Sequence, residues 1–192
     1  MRAGVGPGGT HLFPAFPYTT YVKSDPQDIA DLVAYLRTLT PDETESLPHE
    51  IGFPFNIRRS LGGWKFLYLR DGWVLQEADT PQLERGRYLV EALGHCAECH
   101  TPRNVLGGPD LSAWMGGAPN PNGEGRIPGI DPGTLDWSEN QIANYLESGF
   151  TPEFDTAGGE MVDVIENMAQ LSDEDRAAIA AYLKAIPALS TE

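Results

Sequence analysis

Two cysteines and a histidine stand together in Gly94-His95-Cys96-Ala97-Glu98-Cys99-His100, and these are the only cysteines in the 192 residues. Residues three apart share one face of a helical turn. The thiols of Cys96 and Cys99 therefore point the same way. C-x-x-C-H is the attachment pattern of c-type haem. In it both thiols reach the vinyl groups of one porphyrin, and the next imidazole, here His100, lies over the iron as proximal ligand. The second ring nitrogen of that imidazole needs a hydrogen-bond acceptor to fix the ring.

Two other chemistries use such a pair. A structural zinc site needs four ligands, and beyond the motif only His11, His49 and His95 remain as further His or Cys. A thioredoxin-like pair follows a strand in a βαβ unit, whereas the residues from Leu83 to Gly94 read as a helix. Haem is the preferred reading.

A haem electron carrier usually places Met or His on the other axial side. The methionines are Met1, Met115, Met161 and Met168. Met161 follows Gly158-Gly159-Glu160 and comes 61 residues after His100. Its glycine neighbours let the backbone approach a flat ring closely. Met161 is the first choice, Met168 the second and Met115 the third. Plain core filling is the competing role for each. Around the site, Arg103 is placed to pair with a haem propionate, since guanidinium binds carboxylate bidentately; ordinary exposure is the alternative. Trp137 and Tyr145 are candidates to wall the haem, or else are core.

The elements that position these residues are helical. Leu83, Tyr88, Leu89, Val90 and Leu93 follow helical spacing up to the motif. Ser138 with Gln141 forms a capping box ahead of Ile142, Tyr145 and Leu146. Ser172 precedes three acidic residues and a face of Ile179, Tyr182, Leu183 and Ile186, and Pro187 stops that run. Three helices and a long Gly/Pro loop from Gly107 to Gly133 predict a small all-α haem domain over residues 82–192.

The first residues repeat part of this pattern. Asp28 to Leu36 parallels Asp175 to Leu183 at an offset of 147, and Gly4 and Pro7 match Gly149 and Pro152 at 145. At that offset Phe16 stands where the other copy has Met161. Residues 1–45 therefore read as the rear half of a second haem domain, without a haem motif and without a ligand methionine; chance similarity of two amphipathic helices is the alternative. Residues 46–81 read as a connector, extended over Ile51 to Asn56 and helical from Ile57 to Leu69.

The formal charge is −15. Such a surface repels nucleic acid and anionic membranes and favours a basic protein partner; the alternative is that acidity only keeps the protein soluble. No apolar run approaches the ~18 residues of a membrane span. Met1-Arg2 is followed by glycines, so no signal peptide is expected in the chain as read.

The segments His11-Leu12-Phe13-Pro14-Ala15-Phe16-Pro17-Tyr18, Gly52-Phe53-Pro54-Phe55-Asn56, Arg85-Gly86-Arg87-Tyr88-Leu89-Val90-Glu91 and Gly94 to Asn104 resemble the multihaem cytochrome c subunits of bacterial periplasmic dehydrogenases of the alcohol and gluconate type. The resemblance implies an all-α fold: a class I cytochrome c domain over 82–192, preceded by a partial cytochrome c-like domain over 1–45 and a connector over 46–81. It implies one covalent haem c on Cys96 and Cys99, with His100 proximal and Met161 distal. It also implies that the Pro128 carbonyl accepts the proton of the proximal imidazole, a turn proline being the alternative. The function implied is electron transfer from a periplasmic dehydrogenase subunit to a respiratory acceptor, by a non-enzymatic subunit in the periplasm or peripheral at the inner membrane. A haem peroxidase-like enzyme and a non-haem docking subunit are the competing functions. Because the family's first C-x-x-C-H is missing and the family's usual Met is Phe16, the resemblance casts the chain as an N-terminally truncated member.

Overall fold

The computed structural model describes residues 1–121 and 123–189. The chain divides into two compact units, residues 1–71 and 72–192.

The first unit contains α1 (Tyr18–Tyr21), α2 (Pro26–Leu36) and α3 (Ser60–Tyr68). Helix α3 forms despite Gly62-Gly63. The segment Phe53 to Asn56, expected to be extended, is a turn. Tyr18 is fully buried and meets the Trp64 ring edge-on at 6.2 Å. Buried Lys65 donates to the Ala3 and Gly4 carbonyls, both at 3.0 Å.

The second unit opens with helix α4, Pro81–Tyr88. Its N-cap is Thr80, whose hydroxyl accepts from the Leu83 N–H at 3.1 Å, and Pro81 occupies the first turn, where a missing N–H costs nothing. The predicted helix from Leu83 to Gly94 is corrected here. It begins at Pro81, and over Leu89–Leu93 it widens into a π-helical turn. That turn closes with the Gly94 N–H on the Leu89 carbonyl at 2.6 Å. The widening buries Leu89, Val90, Glu91 and Ala92 in succession, which a regular surface helix does not do.

The motif follows in the short helix α5, Ala97–His100. The long loop after it contains a two-stranded antiparallel ribbon, β1 (Ala118–Pro119) and β2 (Arg126–Ile127). Helix α6, Glu139–Ser148, starts with the expected capping box of Ser138 and Gln141 and ends at Gly149 in the left-handed conformation. Helix α7, Met161–Met168, departs from the sequence pattern: the glycines before Met161 favour a loop, yet Met161 opens the helix. Helix α8, Asp173–Ala185, is capped by Ser172 as expected.

Helix α8 packs across α4 and α6. Tyr182, fully buried, and Ile179 and Leu183 join Leu89, Val90, Ile142 and Leu146 in one apolar cluster. The crossing is closest at Gly86, where an added Cβ would lie 2.0 Å from the Ala178 carbonyl oxygen and 3.0 Å from the Tyr182 Cβ. Arg85 locks the same crossing through two bonds to the Asp175 carboxylate, at 2.7 and 2.8 Å.

The two segments that match in sequence share a hydrogen-bonding pattern. The Leu12 N–H bonds the Gly4 carbonyl as the Ala157 N–H bonds that of Gly149; the Gly6 N–H bonds the Thr10 carbonyl as the Thr151 N–H bonds that of Asp155. Bridges Val5–His11 and Phe150–Thr156 correspond too, and so do the positive φ values of Gly9 and Phe154. Asp25 caps α2 as Ser172 caps α8. Burial differs: Tyr182 is 0% exposed, and its counterpart Tyr35 is 62% exposed.

Gly86→Ala forces the α4–α8 backbones apart. It should lower stability by on the order of 1–3 kcal/mol, the range for overpacking a well-packed site. A denaturant titration of the haem-loaded protein reads this directly, and the substitution should not change the visible spectrum of the fraction that stays folded.

Candidate functional site

The π-turn delivers the chain to His95, whose φ of 42° is in the left-handed region, and α5 then presents the motif. Cys96 is partly buried and packs against the apolar cluster, while Cys99 is exposed at the surface. Burial pushes the Cys96 thiol up to about 11. Burial, and then the Glu160 and Glu98 carboxylates, push the Cys99 thiol up as well. Glu160 precedes Met161, so the start of α7 lies within electrostatic reach of the motif.

The His100 ring is oriented. Its Nδ1 lies 2.8 Å from the Pro128 carbonyl oxygen, the acceptor that a proximal imidazole requires. With Nδ1–H donating there, the Nε2 lone pair is free to bind a metal. Burial holds the imidazole below its ordinary range, and the Pro128 bond opposes this only in part. The ring is thus neutral at neutral pH, the form that ligates iron.

Pro128 is held in place by the loop itself. Gly117 has φ of 80°, and a Cβ there would sit 2.7 Å from both the Ile127 carbonyl oxygen and the Gly129 nitrogen. Its N–H donates to the His100 carbonyl at 2.8 Å. Next to it, the buried Thr101 hydroxyl accepts from the Met115 N–H at 3.0 Å, and the Met115 carbonyl accepts from the Ile130 N–H at 2.7 Å. Gly117 and Thr101 thus fix the loop around the His100 ring, yet their side chains carry no chemistry that marks them in the sequence. The Gly116-Gly117 pair signals only a turn.

The methionines separate by burial. Met115 is fully enclosed, with φ of 61°, inside the apolar cluster. Met161 and Met168 are partly buried and pack against the outside of that cluster. Trp137 and Tyr145 also flank it, their rings 5.2 Å apart and inclined at 63°. Arg103 is committed to protein partners: it bonds the Glu98 carboxylate and the Gly107 carbonyl, the latter at 2.9 Å. A propionate would have to compete with Glu98 for it.

The donor set fits a c-type haem. Two thiols lie on one turn, an oriented neutral imidazole follows, and half-covered apolar side chains (Cys96, Ile130, Trp137, Tyr145, Ala157 and Met161) flank the same core. Among the described residues no cluster of three or more His, Cys, Asp or Glu is arranged for a bare metal ion, and no helix is long and apolar enough to cross a membrane.

The family model for cytochrome c matches residues 83–187. The chain is 56% identical over 189 residues to a diheme cytochrome c-type protein of Cereibacter sphaeroides, covering 98% of this chain and 64% of that protein. It is 39% identical over 196 residues to the fructose dehydrogenase cytochrome subunit of Gluconobacter japonicus, covering 98% of this chain and 40% of that relative. It is 34% identical over 209 residues to the gluconate 2-dehydrogenase cytochrome c subunit of Pantoea cypripedii, covering 98% of this chain and 46% of that relative. The chain spans less than two thirds of the length of each of these relatives.

Gly117→Ala displaces the Pro128 carbonyl and frees the His100 ring. We expect a loss of about 1–3 kcal/mol, from overpacking and an unfavourable φ. In the haem-loaded protein, the NMR signal of the His100 Nδ1 proton should broaden or exchange with water. A sharp, protected Nδ1 proton in this variant would show that Gly117 does not position the His100 ring.

Proposed function

This chain belongs to the cytochrome c family, and from that premise we propose that it carries electrons through one covalent c-type haem held by residues 72–192. The observation that carries this reading is the His100 imidazole, turned by the Pro128 carbonyl at 2.8 Å directly after two thiols on one helical turn. Cys96 and Cys99 would take the thioether bonds, His100 the proximal position and Met161 the distal one. When bound, the haem supplies a reversible one-electron couple between ferric and ferrous iron. The protein's own tasks are to fix the imidazole, to exclude water with Trp137, Tyr145 and Met161, and to keep the core rigid. A closed sixth position suits electron transfer and leaves no place for peroxide.

Met161 is preferred as distal ligand for three reasons. It is half-buried beside the core, its neighbour Glu160 acts electrostatically on Cys99, and Gly158-Gly159 precede it. A thioether favours ferrous iron and raises the potential. Met115, enclosed in the cluster, serves as packing. Residues 1–45 act as a second cytochrome c-like half that holds no covalent haem, since the chain's two cysteines are both in the motif. The hydrogen-bonded turn common to Gly4–Leu12 and Gly149–Ala157 supports that reading.

The relatives named as cytochrome subunits of dehydrogenases suggest the setting. The chain would take electrons from a dehydrogenase catalytic subunit and pass them to a respiratory acceptor, in the periplasm, where c-type haem is attached. Residues 72–192 carry 20 of the 28 acidic side chains and 6 of the 13 basic ones, a net −14 against −1 for residues 1–71. An acidic haem domain favours a partner with a basic docking face.

The protein co-expressed with a haem-attachment system should retain its haem stain on a denaturing gel, and Cys96→Ala with Cys99→Ala should abolish it. The native protein should show a six-coordinate, low-spin visible spectrum. Met161→Ala should convert this to a form that binds carbon monoxide and has a lower potential, while Met168→Ala and Met115→Ala keep the native spectrum. Stain loss in the unsubstituted protein overturns the haem reading; a native spectrum in Met161→Ala overturns the ligand assignment alone.

Electron exchange with a basic redox protein should slow as salt rises, because the screening length falls to ~10 Å at 0.1 M. Stopped-flow rates across an ionic-strength series measure this. Rates that do not change with salt remove the basic docking face from the proposal.

A further inference from the structure

Glu91 is 2% exposed, five residues before Cys96, in the π-turn. The turn points its carboxylate inward, where it accepts from the Val74 N–H at 2.7 Å, the Leu75 N–H at 3.0 Å and the Tyr182 hydroxyl at 2.8 Å. The Tyr182 oxygen in turn accepts from the Trp114 indole N–H at 3.0 Å. The bonds run from the loop after the motif, through the middle of α8, to the turn before the motif. All the hydrogens in this series point toward Glu91. A carboxylate is acceptor-only when ionised, so this donor set fits the anion, and a protonated carboxyl would add one more hydrogen.

The Glu91 side chain lies in the haem domain's own core. Leu89 and Val90 beside it, and Tyr182 bonded to it, belong to the cluster against which Cys96 packs. Burial first, and then the negative charge of Glu91, push the Tyr182 phenol well up; Cys96 contributes in the same direction. The cation closest in sequence is Arg87, one turn earlier on α4. It donates to the Leu75 and Gln76 carbonyls, at 3.2 and 3.1 Å, and lies over the Trp73 ring at 4.9 Å. Arg87 and Glu91 together grip both polar edges of the segment Trp73–Gln76, Arg87 by its carbonyls and Glu91 by its N–H groups.

A negative charge in a low-dielectric core acts strongly on any charge nearby. Ferric haem carries one more positive charge than ferrous, so a fixed anion favours the ferric form. Building on the electron-carrier reading above, we propose that Glu91 is a positioning residue that sets the reduction potential: held as a buried anion by Val74, Leu75 and Tyr182, it lowers the potential of the haem on Cys96 and Cys99. It opposes the raising effect of a thioether ligand, and it does so from the protein interior, shielded from salt.

The test uses the haem-loaded full chain in spectroelectrochemical titrations. Glu91→Gln keeps the side chain's length and one acceptor oxygen but removes the charge. Tyr182→Phe keeps the charge and removes one bond. Glu91→Gln should raise the ferrous-to-ferric ratio at fixed potential about three- to tenfold, where tenfold is ~59 mV for one electron, with the low-spin spectrum unchanged. Tyr182→Phe should move the ratio less than twofold while lowering stability. If Glu91→Gln takes up haem poorly, the double variant with Tyr182→Phe is compared with Tyr182→Phe alone. Equal shifts in both single variants, or none in Glu91→Gln, overturn the proposal, as does failure of both Glu91→Gln forms to hold haem, which would make Glu91 purely structural. Absence of covalent haem in the unsubstituted chain would instead refute the electron-carrier reading.

Discussion

Residues 72–192 depend on one close contact between backbones. At Gly86 helix α4 comes so near α8 that a methyl group would collide with the Ala178 carbonyl at 2.0 Å. Two helices this close exclude bulky side chains from the crossing point and gather them on either side. The Arg85–Asp175 pair lies at the rim. Toward the motif, Leu89, Val90 and Tyr182 pack together. The crossing sets the height and direction at which the chain leaves α4, and through the π-turn it sets where Cys96 and His100 are delivered.

The site is then completed mainly from the backbone. The Pro128 carbonyl receives the His100 ring, the His100 carbonyl receives the Gly117 N–H, and the Met115 backbone is bonded on both sides. Each bond is worth only about 1 kcal/mol net, but each also removes freedom from a loop with little regular structure. Asp131 serves the same end at the edge of the domain. It is fully buried and accepts from Thr134, Gly133 and Leu189. Burial alone would raise its carboxyl; those bonds hold it below the usual range. Polar anchors of this kind let a small helical domain keep a long Gly/Pro loop in one conformation.

The chemistry of the site is legible in the sequence because it depends on local spacing. Cys96, Cys99 and His100 are neighbours, and the caps at Ser138 and Ser172 are visible within four residues. What is not legible depends on partners far along the chain. In Arg85-Gly86-Arg87 no neighbour gives the reason for the glycine, which is Ala178. No neighbour marks Glu91 as buried. The π-turn that brings it inside leaves no mark in a 3.6-residue pattern, and Tyr182, which bonds it, is 91 positions away. Helix α7 escapes a sequence reading because its preceding glycines argue for loop, and its burial against the cluster is a tertiary matter.

The likeness between residues 4–36 and 149–183 separates these two kinds of information. The turn from Gly4 to Leu12 and the turn from Gly149 to Ala157 make the same bonds at the same offsets, although most of their side chains differ. Glycine at the first position, proline at the fourth and a short bridge are common to both. The helices that follow are also capped alike, by Asp25 and Ser172. Up to this level both copies obey the same local rules. They diverge where burial must be supplied by another element. Tyr182 disappears between α8, the π-turn and Trp114, and its hydroxyl finds both a donor and an acceptor. Tyr35 occupies the matching place on α2, a helix that fully buries none of its side chains. Among the described residues of 1–71, no helix crosses α2 as α4 crosses α8. Turn and cap are properties of the segment. The buried tyrosine, and with it the oriented core behind a haem motif, is a property of the crossing.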